Sequence, residues 1–253
     1  MPKAFMSSDG LEKLVENIKN SGGGGTPYTN HNGGIRGKNL GSTFTATQKA
    51  AIADGSFNDL YVGDYWEING IKYVIIDMDY YLGFGQNNPT LEHHLIVFPD
   101  KVLSEQGYSF TGTYYSSSEM YTTYMPQIAT QLETIFGNYL INQSMLLYSS
   151  NGNVTWLKCK CIPPSMVQLQ GYSHHIDPDN MPFKSNMFAI FRYSNSLLIS
   201  DQLYWLQDYL PNYGAGAMAF VTDDGNIWFR SSTSYQYYLR PYFILAGTEQ
   251  TQE

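Results

Sequence analysis

Tyr65-Trp66-Glu67-Ile68-Asn69-Gly70-Ile71-Lys72-Tyr73-Val74-Ile75-Ile76-Asp77-Met78 is the stretch on which the fold turns. Asn-Gly between two runs rich in aromatic and β-branched residues is the strongest short-range hairpin signal, because both turn residues must adopt positive φ. The spacing therefore predicts strands over Tyr65 to Ile68 and Ile71 to Met78. The second run is apolar on both faces, which places it in the interior of a sheet. A further strand is expected over Leu95 to Phe98, after a Gly/Asn/Pro-rich loop from Gly83 to Pro89 and before the stop at Pro99-Asp100.

Working outward, Thr45-x-x-Gln48 is a capping box leading into a helix over Ala46 to Ala53, closed by Asp54-Gly55. From Ser118 the pattern changes to Met120, Tyr124, Ile128, Leu132, Ile135 and Phe136, spaced by threes and fours, with Gly137-Asn138 as the stop. Pro126 should divide this helical region. Val154 to Ile162 reads as one strand, and Pro163-Pro164 introduces a short helix through Met166, Val167 and Leu169. Later strands are expected over Met187 to Phe191, Ala217 to Thr222, Ile227 to Phe229 and Leu239 to Leu245. Asp223-Asp224-Gly225-Asn226 closes a hairpin, and Pro241 confines its own position to an edge or a bulge. The fold class is α+β, a mainly antiparallel sheet with flanking helices.

The chain should open with an N-terminal helix or anchor over residues 1–20, where Asp9-x-x-Glu12 precedes Leu11, Leu14, Val15 and Ile18. A Gly-rich linker over 21–44 follows, and the body spans 45–253. So short a helix is marginal alone, and its apolar stripe must dock on the body or on copies of itself.

Composition narrows the function. The 253 residues are 43% hydrophobic, enough for a core, yet only 14% are charged, against about a quarter in an average domain. Aromatics make up 15%, with 22 Tyr, so the polar surface is built from Tyr, Ser, Thr, Asn and Gln, a mixture suited to recognition and equally to β-structure. A net charge of −8 with 14 Lys plus Arg argues against nucleic acid, whose binding rests on clustered cations. No apolar run is long enough to insert in a membrane, and the opening Met1-Pro2-Lys3-Ala4-Phe5 lacks the apolar stretch of a secretory signal, so synthesis in the cytoplasm is expected.

The chemistry-bearing patterns are sparse. Cys159 and Cys161 lie on the expected strand with both thiols on one face; they are too few for a disulfide scaffold, and a zinc site would need two more soft ligands. His174-His175-Ile176-Asp177-Pro178-Asp179-Asn180 packs imidazoles and carboxylates into one loop, but reads better as a solvated turn than as a metal site. His93 and His94 begin a strand, so at most one faces the core. No nucleophile stands beside a base in a recognisable local context. Asp64, Asp77, Asp79 and Glu92 leave a carboxylate-pair hydrolase open. No cofactor and no metal are expected.

The blocks Phe57-Asn58-Asp59-Leu60-Tyr61-Val62-Gly63-Asp64-Tyr65-Trp66, His93-His94-Leu95-Ile96-Val97-Phe98-Pro99-Asp100, Tyr204-Trp205-Leu206 and Leu239-Arg240-Pro241-Tyr242-Phe243 resemble, in order and spacing, structural proteins of phages and prophages. The resemblance covers roughly residues 45 to 246. It implies a C-type-lectin-like module, similar to formylglycine-generating enzymes and to retroelement-diversified variable proteins. It also implies a tail, baseplate or capsid-surface protein of the virion, with other virion proteins as partners, a homo-oligomeric state and a host-surface glycan or protein as ligand. A purely architectural role and a diversified variable protein are the alternatives. Formylglycine generation uses late cysteines, and no cysteine follows Cys161; the Glu-Pro-Asn and Trp-Asn-Asp segments of calcium-dependent lectins are likewise absent. Trp66 and Trp205 are expected to be buried, and Arg240 to hold a neighbouring loop through its carbonyls. The late region faces ligand in such folds, which makes Gln207, Tyr209, Asn212, Tyr213, Trp228, Arg230, Tyr235 and Tyr237 the candidate ligand-binding residues, with subunit packing as the competing role for the tyrosines.

Overall fold

The computed structural model describes residues 31–85, 90–110, 115–148, 154–171, 186–210, 217–231 and 234–251. The expected N-terminal helix, residues 21–30 of the Gly-rich linker, the His174 to Asn180 loop, Asn212 and Tyr213 lie outside them. The Asn69-Gly70 hairpin forms as expected, joining β1 (Tyr65–Ile68) to β2 (Ile71–Met78), with φ of 53° and 74° at the two turn residues. β2 pairs with β3 (His94–Pro99), and every residue of β3 is buried, as expected of an interior strand. The sheet is completed by β6 (Cys161–Ile162) and β10 (Tyr242–Ala246), giving the antiparallel order β1-β2-β3-β10-β6. β4 (Gln143–Tyr148) and β5 (Val154–Cys159) form a separate hairpin, and β7 (Tyr204–Leu210), β8 (Ala217–Val221) and β9 (Ile227–Ser231) a third sheet. The described chain is thus α+β and mostly antiparallel sheet.

Helix α1 (Ala46–Ala53) carries the expected capping box: Thr45 and Gln48 exchange side-chain and backbone hydrogen bonds. The Gln48 Oε1 also accepts from the Trp66 indole at 3.0 Å, tying the cap to β1. Gly247, just past β10, lies under this helix; a Cβ there would meet Lys49 O at 2.2 Å and Ala53 N at 2.3 Å, so only glycine permits the approach. Pro126 divides the second helical region as expected. A π-helical turn, Met120–Tyr124, in which the Met125 N–H reaches back to Met120 O, passes into α2 (Met125–Phe136). Ile128, Leu132 and Phe136 form the buried stripe of α2, and the Phe136 ring meets those of Trp66, Tyr73 and Phe243.

Four expectations are corrected. Val154 to Ile162 is two strands, because the chain bends at Lys160; β5 pairs with β4 and β6 with β10, so Cys159 and Cys161 belong to different sheets, although both are buried. Met187 to Phe191 forms no strand. A 3-10 turn, Ala189–Arg192, replaces it, with the Ala189 N–H captured by buried Asp77 at 2.7 Å and the Phe188 N–H by Gln168 O at 2.9 Å. An apolar run of that length is buried in either conformation, so periodicity alone does not separate them. β10 begins after Pro241 and is an interior strand, which leaves the proline outside the ladder instead of at an edge. The stretch from His31 to Phe44 was expected to be linker, but it is bonded to the body: Arg36 N–H donates to Val62 O, Leu40 N–H to Tyr65 O, and Phe44 is buried beside Trp66.

Two fully buried charges organise the interior. Asp64 accepts from the Arg36 guanidinium and from the backbone N–H groups of Tyr61 and Lys38, so all its lone pairs are engaged. Arg240 donates to Pro99 O at 2.9 Å, Leu198 O at 3.3 Å and Leu197 O at 2.7 Å, fulfilling the expectation that it holds a loop. Its guanidinium lies 4.4 Å from the Phe98 ring centre and 5.0 Å from that of Tyr204, and burial lowers its pKa. Arg240→Met leaves those carbonyls unpaired and should lower unfolding free energy by about 3–5 kcal/mol. Arg240→Lys, lacking the fork, should recover only part of that loss in urea melts.

Candidate functional site

The β8–β9 turn is fixed by its own side chains. Thr222 N–H donates to Asn226 O at 2.8 Å, Gly225 N–H to Thr222 O at 3.0 Å, and the Thr222 hydroxyl bonds to the Asp224 carboxylate. Hydrogen bonds from Thr222 and Asn226 hold Asp224 below the usual carboxylate range. From this turn β9 leaves with strict alternation: Ile227, Phe229 and Ser231 are half-buried, whereas Trp228 and Arg230 face solvent. The register sets Trp228 opposite Phe220 and Arg230 opposite Met218, and Phe220 in turn opposite Trp205 on β7.

The segment after β9 folds back over this face. Tyr237 is pinned by a backbone bridge to Tyr108, and its ring lies 4.4 Å from Phe220 and 4.5 Å from Trp205. Tyr235 stacks beside Tyr237 at 6.1 Å and 28° between planes, and the Arg230 guanidinium stands 5.3 Å above the Tyr235 ring. The result is a ladder of rings running from the fully buried Trp205 through Phe220 and Tyr237 to Tyr235, which is 41% exposed; Trp228, on the same face, is 62% exposed. Tyr235, at the exposed end of this platform, is backed by packed aromatics, so its ring is held in place before any ligand arrives. Partial burial raises the Tyr237 phenol.

Of the eight candidate residues, the structure brings Trp228, Arg230, Tyr235 and Tyr237 together. Tyr237 serves more as a support than as a contact surface, consistent with its half-buried state. Tyr209 is placed in β7, opposite Met218. Gln207 does not join the group. Four steps along β7, from Trp205 to Tyr209, span only two along β8, and the irregularity turns the half-buried Gln207 amide toward Gln168, 3.5 Å away.

Other clusters have structural occupations. His93 Nδ1 lies 2.7 Å from Asp79 Oδ2, and the far edge of its ring sits over Gly55, where a Cβ would be 2.4 Å from Nε2. The dyad therefore presents backbone, not a hydroxyl or thiol, to the nitrogen a general base would use. His94, fully buried, accepts from Tyr81 N–H at Nε2 and bonds to Glu92 O through Nδ1, which fixes it as a neutral tautomer. A cleft of about 520 Å³ between α2 and β5–β6 is walled by Met125, Pro126 and Ala129 and floored by Cys159 and Cys161. Burial pushes the Cys159 thiol up to about 12 and raises that of Cys161 further, so both stay protonated and unreactive. Among the described residues no group of three His, Cys, Asp or Glu side chains is placed to hold a metal ion, and no helix is long and apolar enough to cross a membrane.

Sequence reasoning did not single out Asp208 as a buried titrating group. It is fully enclosed beneath β7 and accepts the Met166 N–H, the first of helix α3 (Met166–Gln170), at 2.8 Å. Ser165 and Gln168 form a capping box at the same helix start, and Gln168 continues to the hydroxyls of Tyr81 and Tyr242. Comparison of the chain with protein-family models, with curated proteins and with solved structures finds no match in any of the three.

Desolvation pushes the Asp208 carboxyl up to about 7 from 3.8, against the hydrogen bond from Met166 that favours its anion. Because the folded pKa is raised, the native state retains a proton that the unfolded chain releases. Its contribution to stability is present below about pH 4 and falls away as pH rises to about 7. Asp208→Asn should remove that segment of the pH profile. In urea melts, the variant should gain on the parent between pH 4.5 and about pH 7 and level off above it; a constant difference over that range would rule the assignment out.

Proposed function

We propose that this chain is a non-catalytic contact protein of a bacteriophage particle, part of its tail, baseplate or capsid surface, which adheres to the host envelope through the exposed face of β9. The phage origin rests on the resemblance of the four sequence blocks to virion structural proteins. The contact mechanism rests on one observation: a Trp that is 62% exposed, held two residues from an outward-facing Arg on a strand whose opposite face is packed. Exposing an indole to water costs stability and leaves it available for burial by a partner, and Trp, Tyr and Arg are the side chains that dominate interfaces. The antiparallel sheet with α1 and α2 beside it, and a late hairpin carrying the platform, are compatible with the C-type-lectin-like module that the resemblance implies.

The interior favours contact over turnover. The carboxylates singled out by sequence are engaged with other protein groups: Asp64 with Arg36 and two backbone N–H groups, Asp77 with the backbone of Met78 and Ala189, Asp79 with His93 and the His94 N–H, and Glu92 with the side chains of Thr248 and Gln250. A platform of a few side chains gives a weak single site, and display of many copies on one particle raises avidity without further contacts.

An architectural role is the second reading, favoured by the same exposed indole, since an apolar group that size also suits a subunit interface. The two part on whether Trp228 is covered in the assembled particle. For adhesion, beads bearing many copies of the full chain should bind host cells, and Trp228→Ala with Tyr235→Ala should cut the bound fraction at least tenfold. Thermal midpoints should move little, because truncations of exposed side chains typically stay within about 0.5 kcal/mol. Unaltered binding by the double variant would exclude the β9 face as the adhesive surface.

A further inference from the structure

We infer that the β9 face takes a saccharide bearing an anionic substituent, with the sugar ring on Trp228 and the anion on Arg230. This rests on the adhesive reading above and names its ligand class. Trp228 and Arg230 alternate outward on one strand, and strand geometry separates such positions by about 6.6 Å, a span matched by one sugar ring and its exocyclic anion. The indole offers a flat apolar surface of the kind that the C–H face of a pyranose covers.

Arg230 decides the charge. Its guanidinium is held over the Tyr235 ring, 5.3 Å from the centre, and among the described residues no carboxylate pairs with it. Contact with the ring still leaves N–H groups of the guanidinium to donate, and a carboxylate or phosphate can accept two such parallel bonds. Bare aromatic faces of this kind would otherwise attract cations, but the guanidinium over Tyr235, two residues along the strand from Trp228, disfavours them. A protein partner would have to cover roughly 800 Å² on each side to bind stably, far more than these few side chains supply. The chain as a whole carries a net charge of −8 and does not draw anions from a distance, so recognition depends on the short-range fork alone.

The arrangement also divides labour between the side chains. Trp228 supplies area that any pyranose can use, and Arg230 supplies the discrimination, because a neutral sugar leaves the fork with water as its partner. Tyr235 acts on Arg230 by fixing its orientation, so its loss should weaken binding of the charged sugar more than that of a neutral one.

The test uses the full chain displayed on beads, with three glycoconjugates on a surface: galacturonate oligomers, galactose oligomers of equal length, and a galactose 6-phosphate conjugate. Retention of either charged conjugate at least tenfold above the neutral one supports the inference, and the conjugate preferred identifies the anion as carboxylate or phosphate. Arg230→Gln should abolish that preference, with residual binding equal for all three. Trp228→Ala should lower binding to every conjugate. Equal retention of neutral and charged conjugates by the parent, or a preference that survives Arg230→Gln, overturns it. If host cells are bound through Trp228 but no conjugate is retained, the ligand class is wrong and the adhesive reading stands; if host cells are not bound either, both fall.

Discussion

A single buried cation joins the parts on which the rest of the structure depends. Arg240 lies two residues before β10, and its guanidinium reaches the carbonyl that ends β3 and two carbonyls of the turn leading to β7. Removing a guanidinium from water is costly, and with no carboxylate bonded to it among the described residues the compensation shown comes from carbonyl oxygens and the faces of Phe98 and Tyr204. Such a site tolerates little displacement, because each donor left without an acceptor would sit in a medium with no water to replace it. The consequence is positional: the end of β3, the start of β10 and the entry to β7 are fixed with respect to one another. The β7–β8–β9 sheet is then held at a defined place relative to the five-stranded sheet.

The same device recurs wherever irregular chain meets a strand. Asp77 lies beside the irregularity in β2, where Ile75 and Asp77 pair with the consecutive residues Val97 and Ile96, and it binds the first N–H of the turn at Ala189. Asp208 binds the first N–H of α3, and Gln168 joins that helix to the hydroxyls of Tyr81 and Tyr242. Each uses a buried polar side chain to satisfy a backbone group that no ladder or helix would satisfy. In a chain with so few charges, most of the buried ones serve this purpose. Loops in this fold are therefore specified by individual acids and amides as much as by apolar contact, and their conformations are invisible to hydrophobic periodicity.

That explains what could be read from the sequence. Signals carried by neighbouring residues were sufficient: Asn69-Gly70 for the hairpin, Thr45 with Gln48 for α1, the Ile128, Leu132, Phe136 stripe for α2, and Asp224-Gly225 for the β8–β9 turn. Signals set by distant partners were not. Met187 to Phe191 reads as a strand until Asp77, more than a hundred residues away, takes the Ala189 N–H. The break at Lys160 exists because β5 and β6 have different neighbours, and the interior position of β10 because β3 and β6 flank it. At the candidate site, Trp228 and Arg230 were legible because β9 is regular, while Gln207 was misplaced because β7 is not.

The contrast between β7 and β9 also accounts for where a recognition surface can form. Trp205 and Trp228 occupy the same row of one sheet, with Phe220 between them, yet one is fully buried and the other is the most exposed aromatic of the row. What separates them is the Tyr237 ring, which lies 4.5 Å from Trp205 and 4.4 Å from Phe220 and so covers the inner end of the row. Its position is set by paired backbone bonds, Tyr237 with Tyr108 and Tyr238 with Leu203 O, so the cover cannot slide outward to shield the indole. The sheet thus buries its aromatic row at the Trp205 end, under a cover fixed by backbone hydrogen bonding, and leaves Trp228 at the solvent-facing end. A surface built this way presents an ordered apolar face to solvent, which is the state from which binding costs the least conformational entropy.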